Sequence, residues 1–180
     1  MAKVLAPTTL HFFMVLLISI LVYSEANCCP SREIKITVFL QQFTGGPNAT
    51  TAAVAGIPSR PRDTFQFGTI FVADAGITEG ININSPQVGR GQGIYATSSL
   101  DGLNGHNVFS FVFTNRRYNG STSEFQGRGY SQGVRVSELS VVEGTGAFRF
   151  VEGYATFATV LQRPSINYTV DRVDITLRQY

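Results

Sequence analysis

Hydrophobic and polar residues alternate along most of this chain with a period of two. Ile34, Ile36, Val38 and Leu40 fall on one side, and Lys35, Thr37, Phe39 and Gln41 on the other. That is the pattern of a strand with one buried face. Runs of this kind, cut by Gly, Pro, Asn and Ser, predict eight strands at 34–42, 65–73, 91–98, 108–114, 122–127, 135–142, 147–161 and 168–177. In the fourth, Phe109, Phe111 and Phe113 alternate with Val108, Ser110 and Val112, so both faces are largely apolar. This predicts burial inside the sheet and coverage outside it. Asn119-Gly120 predicts a tight two-residue hairpin turn, because both residues tolerate positive φ. Gly144-Thr145-Gly146 predicts the turn before the long seventh strand, and Gly153 a bulge or bend within it.

No segment after residue 26 carries capped helical periodicity. Eight sequential strands with 18 glycines fit a closed antiparallel barrel or a sandwich. Closure removes exposed edges, and an eight-stranded barrel has room inside for one small ligand.

The N-terminus departs from this alternation. Residues 12–22 form an uncharged apolar run behind Lys3, followed by small residues at Ser24 and Ala26. The run is short of the roughly 20 residues that span a bilayer. Residues 1–26 are therefore expected to be a cleaved signal peptide, and residues 27–180 a single mature domain of 154 residues. A signal anchor is the competing reading. No second long apolar run follows, so the mature chain is expected to be soluble and secreted to the extracellular space.

Secretion gives meaning to three glycosylation sequons, at Asn48, Asn119 and Asn167. The first two fall in turn-like segments, the third within or beside a strand. Cys28 and Cys29 are adjacent; a strained vicinal disulfide, pairing with another chain and free thiols all remain open. Neither cysteine gives the domain a disulfide framework.

Charge and composition exclude several functions. The net charge is +2, with the arginines scattered, so nucleic acid or an acidic membrane is not the expected partner. His106 is the one histidine after the leader, which removes two-histidine metal motifs and leaves a Ser-His-Asp triad hard to assemble. Gly89-Arg90-Gly91-Gln92-Gly93 precedes a strand, not a helix, so it is no phosphate loop. No cofactor or metal is expected. An aromatic-rich barrel of this kind suits an apolar or aromatic small molecule, with a few polar groups fixing its orientation.

Several motifs go further. Phe67 to Asp74 with Ile77-Thr78-Glu79-Gly80, Val88 to Tyr95, Phe111-Val112-Phe113-Thr114, Tyr118 to Thr122, Leu139 to Phe150 and Gly46-Pro47-Asn48-Ala49-Thr50 stand in one order along the chain. Together they resemble the plant dirigent family over nearly the whole mature chain. The resemblance implies an all-β, eight-stranded antiparallel β-barrel of the dirigent and allene-oxide-cyclase type, a homo-oligomer (dimer or trimer) and an apoplastic location.

The resemblance also implies a function. A dirigent protein orients phenoxy radicals of phenylpropanoids such as coniferyl alcohol, or the quinone methides they form, so that coupling to lignan-type products is stereoselective. The radicals come from an external laccase or peroxidase; the barrel is a stereo-directing auxiliary with no oxidative centre of its own. A dehydratase or cyclase acting on isoflavonoid-type quinone-methide intermediates is the alternative. A non-catalytic barrel associated with cell wall or defence is a third reading.

Carried over one by one, the resemblance makes Asp74 a catalytic pocket acid, with a turn-capping role as its alternative. Tyr95 is a substrate-binding tyrosine or simply a core residue. Thr97 stands where some members have a second tyrosine. Arg135 is the nearest equivalent of a pocket arginine expected between 135 and 137. Gln42 occupies the place of an aspartate in lignan-forming members and is expected to bind substrate; it hydrogen-bonds but does not deliver a proton as an acid does. A second pocket aspartate falls near Gly129. Glu124 and Glu138 are the acids that stand in for them, or else solvated strand residues.

Overall fold

The computed structural model describes residues 11, 14–19, 31–130 and 136–179; residues 24–26, Cys28, Cys29 and Arg135 lie outside the described residues. In the N-terminal unit, residues 14–19 are helical. Among the described residues no helix is long and apolar enough to cross a membrane.

Residues 33–179 make up the second unit, which is built of antiparallel strands. In chain order these are β1 (Arg32–Phe43), β2 (Thr51–Ala55), β3 (Ile70–Thr78), β4 (Gln87–Thr97), β5 (Asn104–Phe113), β6 (Thr122–Tyr130), β7 (Ser137–Gly144), β8 (Val151–Arg163) and β9 (Tyr168–Gln179). The sheet runs β1-β9-β8-β7-β6-β5-β4-β3-β2, and β1 also pairs with β3. That extra pairing closes eight strands into a barrel. β1 meets β3 at Phe39–Gln41 and β2 meets it at Thr51–Ala55, so β1 and β2 lie in turn along one edge of β3.

The β1–β3 seam is only three residue pairs long, and side chains reinforce it. Gln41 Nε2 donates to Thr78 Oγ1 at 2.7 Å, and the Tyr168 hydroxyl donates to Gln41 Oε1. Buried polar groups satisfied in this way fix register as well as hold it. With Gln41 turned outward to this clamp, strand alternation turns Gln42 inward.

One end of the barrel is packed solid. Phe111, Phe113, Phe125 and Phe148 are buried together with Ile77, Val173, Ile175 and Leu177. Phe111 and Phe125 lie 4.7 Å apart between ring centroids, within the range where tilted aromatic pairs add to area burial. Gly91 makes this packing possible: a Cβ there would meet Leu40 Cδ1 at 2.8 Å and Phe111 Cε1 at 2.9 Å.

The eight-stranded barrel is as expected; several details differ. β2 was not predicted: Thr51-Ala52-Ala53-Val54-Ala55 is short and alanine-rich, a weak strand signal. β3 begins at Ile70, not Phe65, because the chain turns over 63–69 and Gly68 takes φ +85°. β5 and β6 are joined by residues 114–121, not by a two-residue turn; only Gly120 of the Asn-Gly pair has positive φ. The register of β8 is regular at Gly153 and shifts instead between Thr159 and Leu161. His106 lies in β5, not in a loop, with its Nε2 3.4 Å from Gln126 Nε2.

Candidate functional site

At the other end the barrel stays open inside. A cavity of about 300 Å³ is lined by inward residues from every strand. Its apolar part is Leu40, Phe71, Phe109, Leu139 and Phe157. Phe157 stands edge-on to Phe125 at 5.9 Å and to Phe111 at 6.1 Å, so the packed core forms its floor. Tyr95 lines one wall, its ring 5.7 Å from that of Phe71. Gly105 leaves the space for that ring, since a Cβ there would meet Tyr95 Cε2 at 2.2 Å.

The polar lining includes Gln42, Thr51, Arg62, Asn107, Tyr130 and Asp171. Asp171 is the one carboxylate among the described lining residues. Thr159 Oγ1 donates to its Oδ1 at 2.6 Å, and Gln42 Nε2 to its Oδ2 at 2.7 Å. What remains accessible of this side chain opens into the cavity. Burial pushes its carboxyl above the usual carboxylate range, and the bonds from Thr159 and Gln42 offset this only in part. Thr51 Oγ1 is buried without a hydrogen-bond partner among the described residues. It lines the same cavity, where a ligand hydroxyl would satisfy it.

Two of the residues singled out in the sequence, Gln42 and Tyr95, meet at this cavity. Gly129 lines it as well, but a Cβ there would meet Asn107 Nδ2 at 2.2 Å, so Asn107 fills the space of a side chain at 129. Thr97 does not line it. It is buried at the end of β4, where its Oγ1 donates to Thr64 O at 3.1 Å and ties down the loop that carries Thr64 to the cavity.

Asp74 is placed elsewhere. It lies within β3, where Phe71, Ala73, Ala75 and Ile77 alternate with it. Its carboxylate accepts from Arg90 Nε at 2.6 Å on the exposed side of the sheet. The guanidinium holds the Asp74 carboxyl below its usual range. Glu138 is exposed, and Glu124 accepts from the Ser110 hydroxyl; neither lines the cavity. Asn48, Asn119 and Asn167 all lie in exposed turns.

Asp171 was not singled out, although the sequence carries its signal. Asp171, Val173, Ile175 and Leu177 share one parity, and the three aliphatic residues are buried.

Comparison with known proteins agrees with the barrel fold. The family model for dirigent-like proteins matches residues 33–178. Dirigent protein 1 of Arabidopsis thaliana is 35% identical over 154 residues, covering 81% of this chain and 82% of that protein. Dirigent protein 11 of the same plant is 36% identical over 126 residues, covering 70% and 65%. Pterocarpan synthase 1 of Glycine max is 35% identical over 117 residues, covering 65% and 63%; the chain thus spans just under two thirds of these last two relatives. The solved pterocarpan synthase dirigent protein GePTS1 superposes with a TM-score of 0.74 at 28% identity, over 83% of this chain and 89% of that one. The motifs, the closed barrel and these matches lead to one conclusion: the chain belongs to the dirigent family.

Proposed function

We propose that the barrel receives one phenolic quinone methide of phenylpropanoid or isoflavonoid type and holds it for stereoselective ring closure. The observation that carries this is the cavity itself. About 300 Å³ is at the low end of small-molecule sites, enough for one aromatic molecule. Phe71, Tyr95, Phe109 and Phe157 supply apolar faces for it, and Gln42, Asn107 and Asp171 supply hydrogen bonds at fixed places. Orientation alone is a strong lever, since about 1.4 kcal/mol between two bound geometries gives tenfold selectivity.

The quinone methide arises in one of two ways. In the lignan-type route an external laccase or peroxidase makes phenoxy radicals, whose coupling yields it. In the pterocarpan-type route, favoured by the likeness to pterocarpan synthases in sequence and backbone, it forms by loss of water from an isoflavonoid-type alcohol. Secretion to the apoplast belongs to the same proposal, supported by the leader-like residues 12–22 and by sequons in exposed turns.

The test runs both routes with purified protein. One arm supplies coniferyl alcohol and a laccase, the other a 2′-hydroxylated isoflavonoid alcohol and no oxidase, each resolved by chiral chromatography. Enantiomeric excess in one arm supports the reading and names the route. Racemic product in both, equal to protein-free controls, overturns it.

A further inference from the structure

We infer that Asp171 is the proton donor of the cavity, positioned by Gln42 and Thr159. The inference rests on the quinone-methide reading above and names the group that performs its chemistry. Its ground is the placement of one side chain. Gln42 stands where the family resemblance expects an acid, and its amide is bonded at 2.7 Å to a carboxyl on β9, the strand next to β1 in the barrel. An acid thus lies one strand away from position 42, and Gln42 holds it.

The geometry suits a donor. Each carboxyl oxygen accepts one bond from the protein, Oδ1 from Thr159 and Oδ2 from Gln42. A carboxyl group offers about four acceptor or donor sites in all, so each oxygen keeps one for the cavity. Both partners are neutral, and no ion pair to Asp171 exists among the described residues. Arg62 lines the same cavity but forms no ion pair with Asp171, and burial among neutral bonding partners favours the protonated form.

The step balances without an oxidant. The Asp171 carboxyl gives its proton to the carbonyl oxygen of the quinone methide, and the ring becomes a phenol. The substrate's own hydroxyl oxygen forms the new C–O bond to the exocyclic carbon and loses its proton to water. Water then reprotonates Asp171, so the reaction is a net isomerisation.

The test uses the purified full chain with a synthetic para-quinone methide carrying a tethered hydroxyl, generated in the cuvette. Its reduced, unreactive phenol measures binding by calorimetry. Asp171→Asn is expected to bind the phenol within about threefold of wild type and to close the probe roughly 10²-fold more slowly, the lower end of general-acid effects. Asp171→Glu is expected to recover part of the rate. Wild-type closure falls on the alkaline side as Asp171 ionises. Gln42→Leu removes a bond that lowers the Asp171 pKa, so it moves that alkaline limb to higher pH.

Wild-type closure rate in Asp171→Asn with binding intact overturns the inference and leaves the reading of the cavity standing. If Asp171→Asn does not fold, the Gln42→Leu limb decides, and an unmoved limb overturns the inference. Failure of the wild type to bind the phenol removes the quinone-methide reading, and the inference with it.

Discussion

Replacing Asp171 by Asn should change how the stability of this barrel depends on pH, and the direction follows from the structure. Burial raises the folded-state pKa of Asp171, Thr159 and Gln42 offsetting it only in part. In the unfolded chain an aspartate titrates near 3.9. Between those two values the folded state holds the proton and the unfolded state does not. Stability therefore falls as pH rises through that window and is level on either side of it. The slope reaches at most about 1.4 kcal/mol per pH unit.

Asn is a fair replacement because it keeps both contacts, its carbonyl accepting from Gln42 Nε2 and its amide donating to Thr159 Oγ1. The chain has no tryptophan, so the measurement is urea unfolding followed by circular dichroism, from pH 3 to pH 8. The difference between Asp171→Asn and wild type is expected to grow in favour of the variant as pH rises from about 4, then to level off. In thermal melts this corresponds to about 2–4 °C for each kcal/mol in a domain of this size. Curves that stay parallel across the range would refute the claim that burial raises the Asp171 pKa.

Three further outcomes are expected. Gly129→Asp, which puts back an acid at a cavity position, should destabilise the barrel by about 1–3 kcal/mol because its Cβ displaces Asn107; pairing it with Asn107→Gly should restore most of the urea midpoint. Asp74→Asn should change the midpoint by less than about 1 kcal/mol, since its ion pair with Arg90 is exposed, and should leave product handedness unchanged in chiral chromatography. The exposed outer residues Val72, Ile94 and Val108 are register neighbours on β3, β4 and β5, a patch that would suit the homo-oligomer that the family resemblance implies. Ile94→Lys is expected to shift the mass measured by light scattering to that of a monomer.

Alternation alone reads the fold well where one face is plainly apolar. Ile34 to Leu40 on β1 and Phe111 with Phe113 on β5 are the clearest cases, each inward as their parity requires. It misleads where both faces are apolar or where neither is. Phe65 and Phe67 look like strand residues, but Gly68 turns the chain there, and the five-residue displacement of β3 made Asp74 look like a strand end. β2 went unseen because alanines carry little strand signal.

The site was legible in part. Gln42 and Tyr95 share parity with buried neighbours on their strands and do line the cavity. Asp171 needed one more step, since its parity with Val173, Ile175 and Leu177 places an acid among inward residues. Its link to Gln42 depends on closure of the barrel, which puts β9 beside β1. Nothing local in the sequence fixes that neighbourhood.

The central claim, that this cavity orients a phenolic intermediate, is tested most directly by the handedness of the product with the cavity open and with it filled. Ala73 lines the cavity, and Ala73→Phe places a ring inside it while leaving Asp171 itself unchanged in sequence. Chiral chromatography of the ring-closed product should show an enantiomeric excess with wild type and a near-racemic mixture with Ala73→Phe, provided circular dichroism shows both folded. Equal enantiomeric excess from the two proteins would mean that selection takes place elsewhere, and would contradict the account.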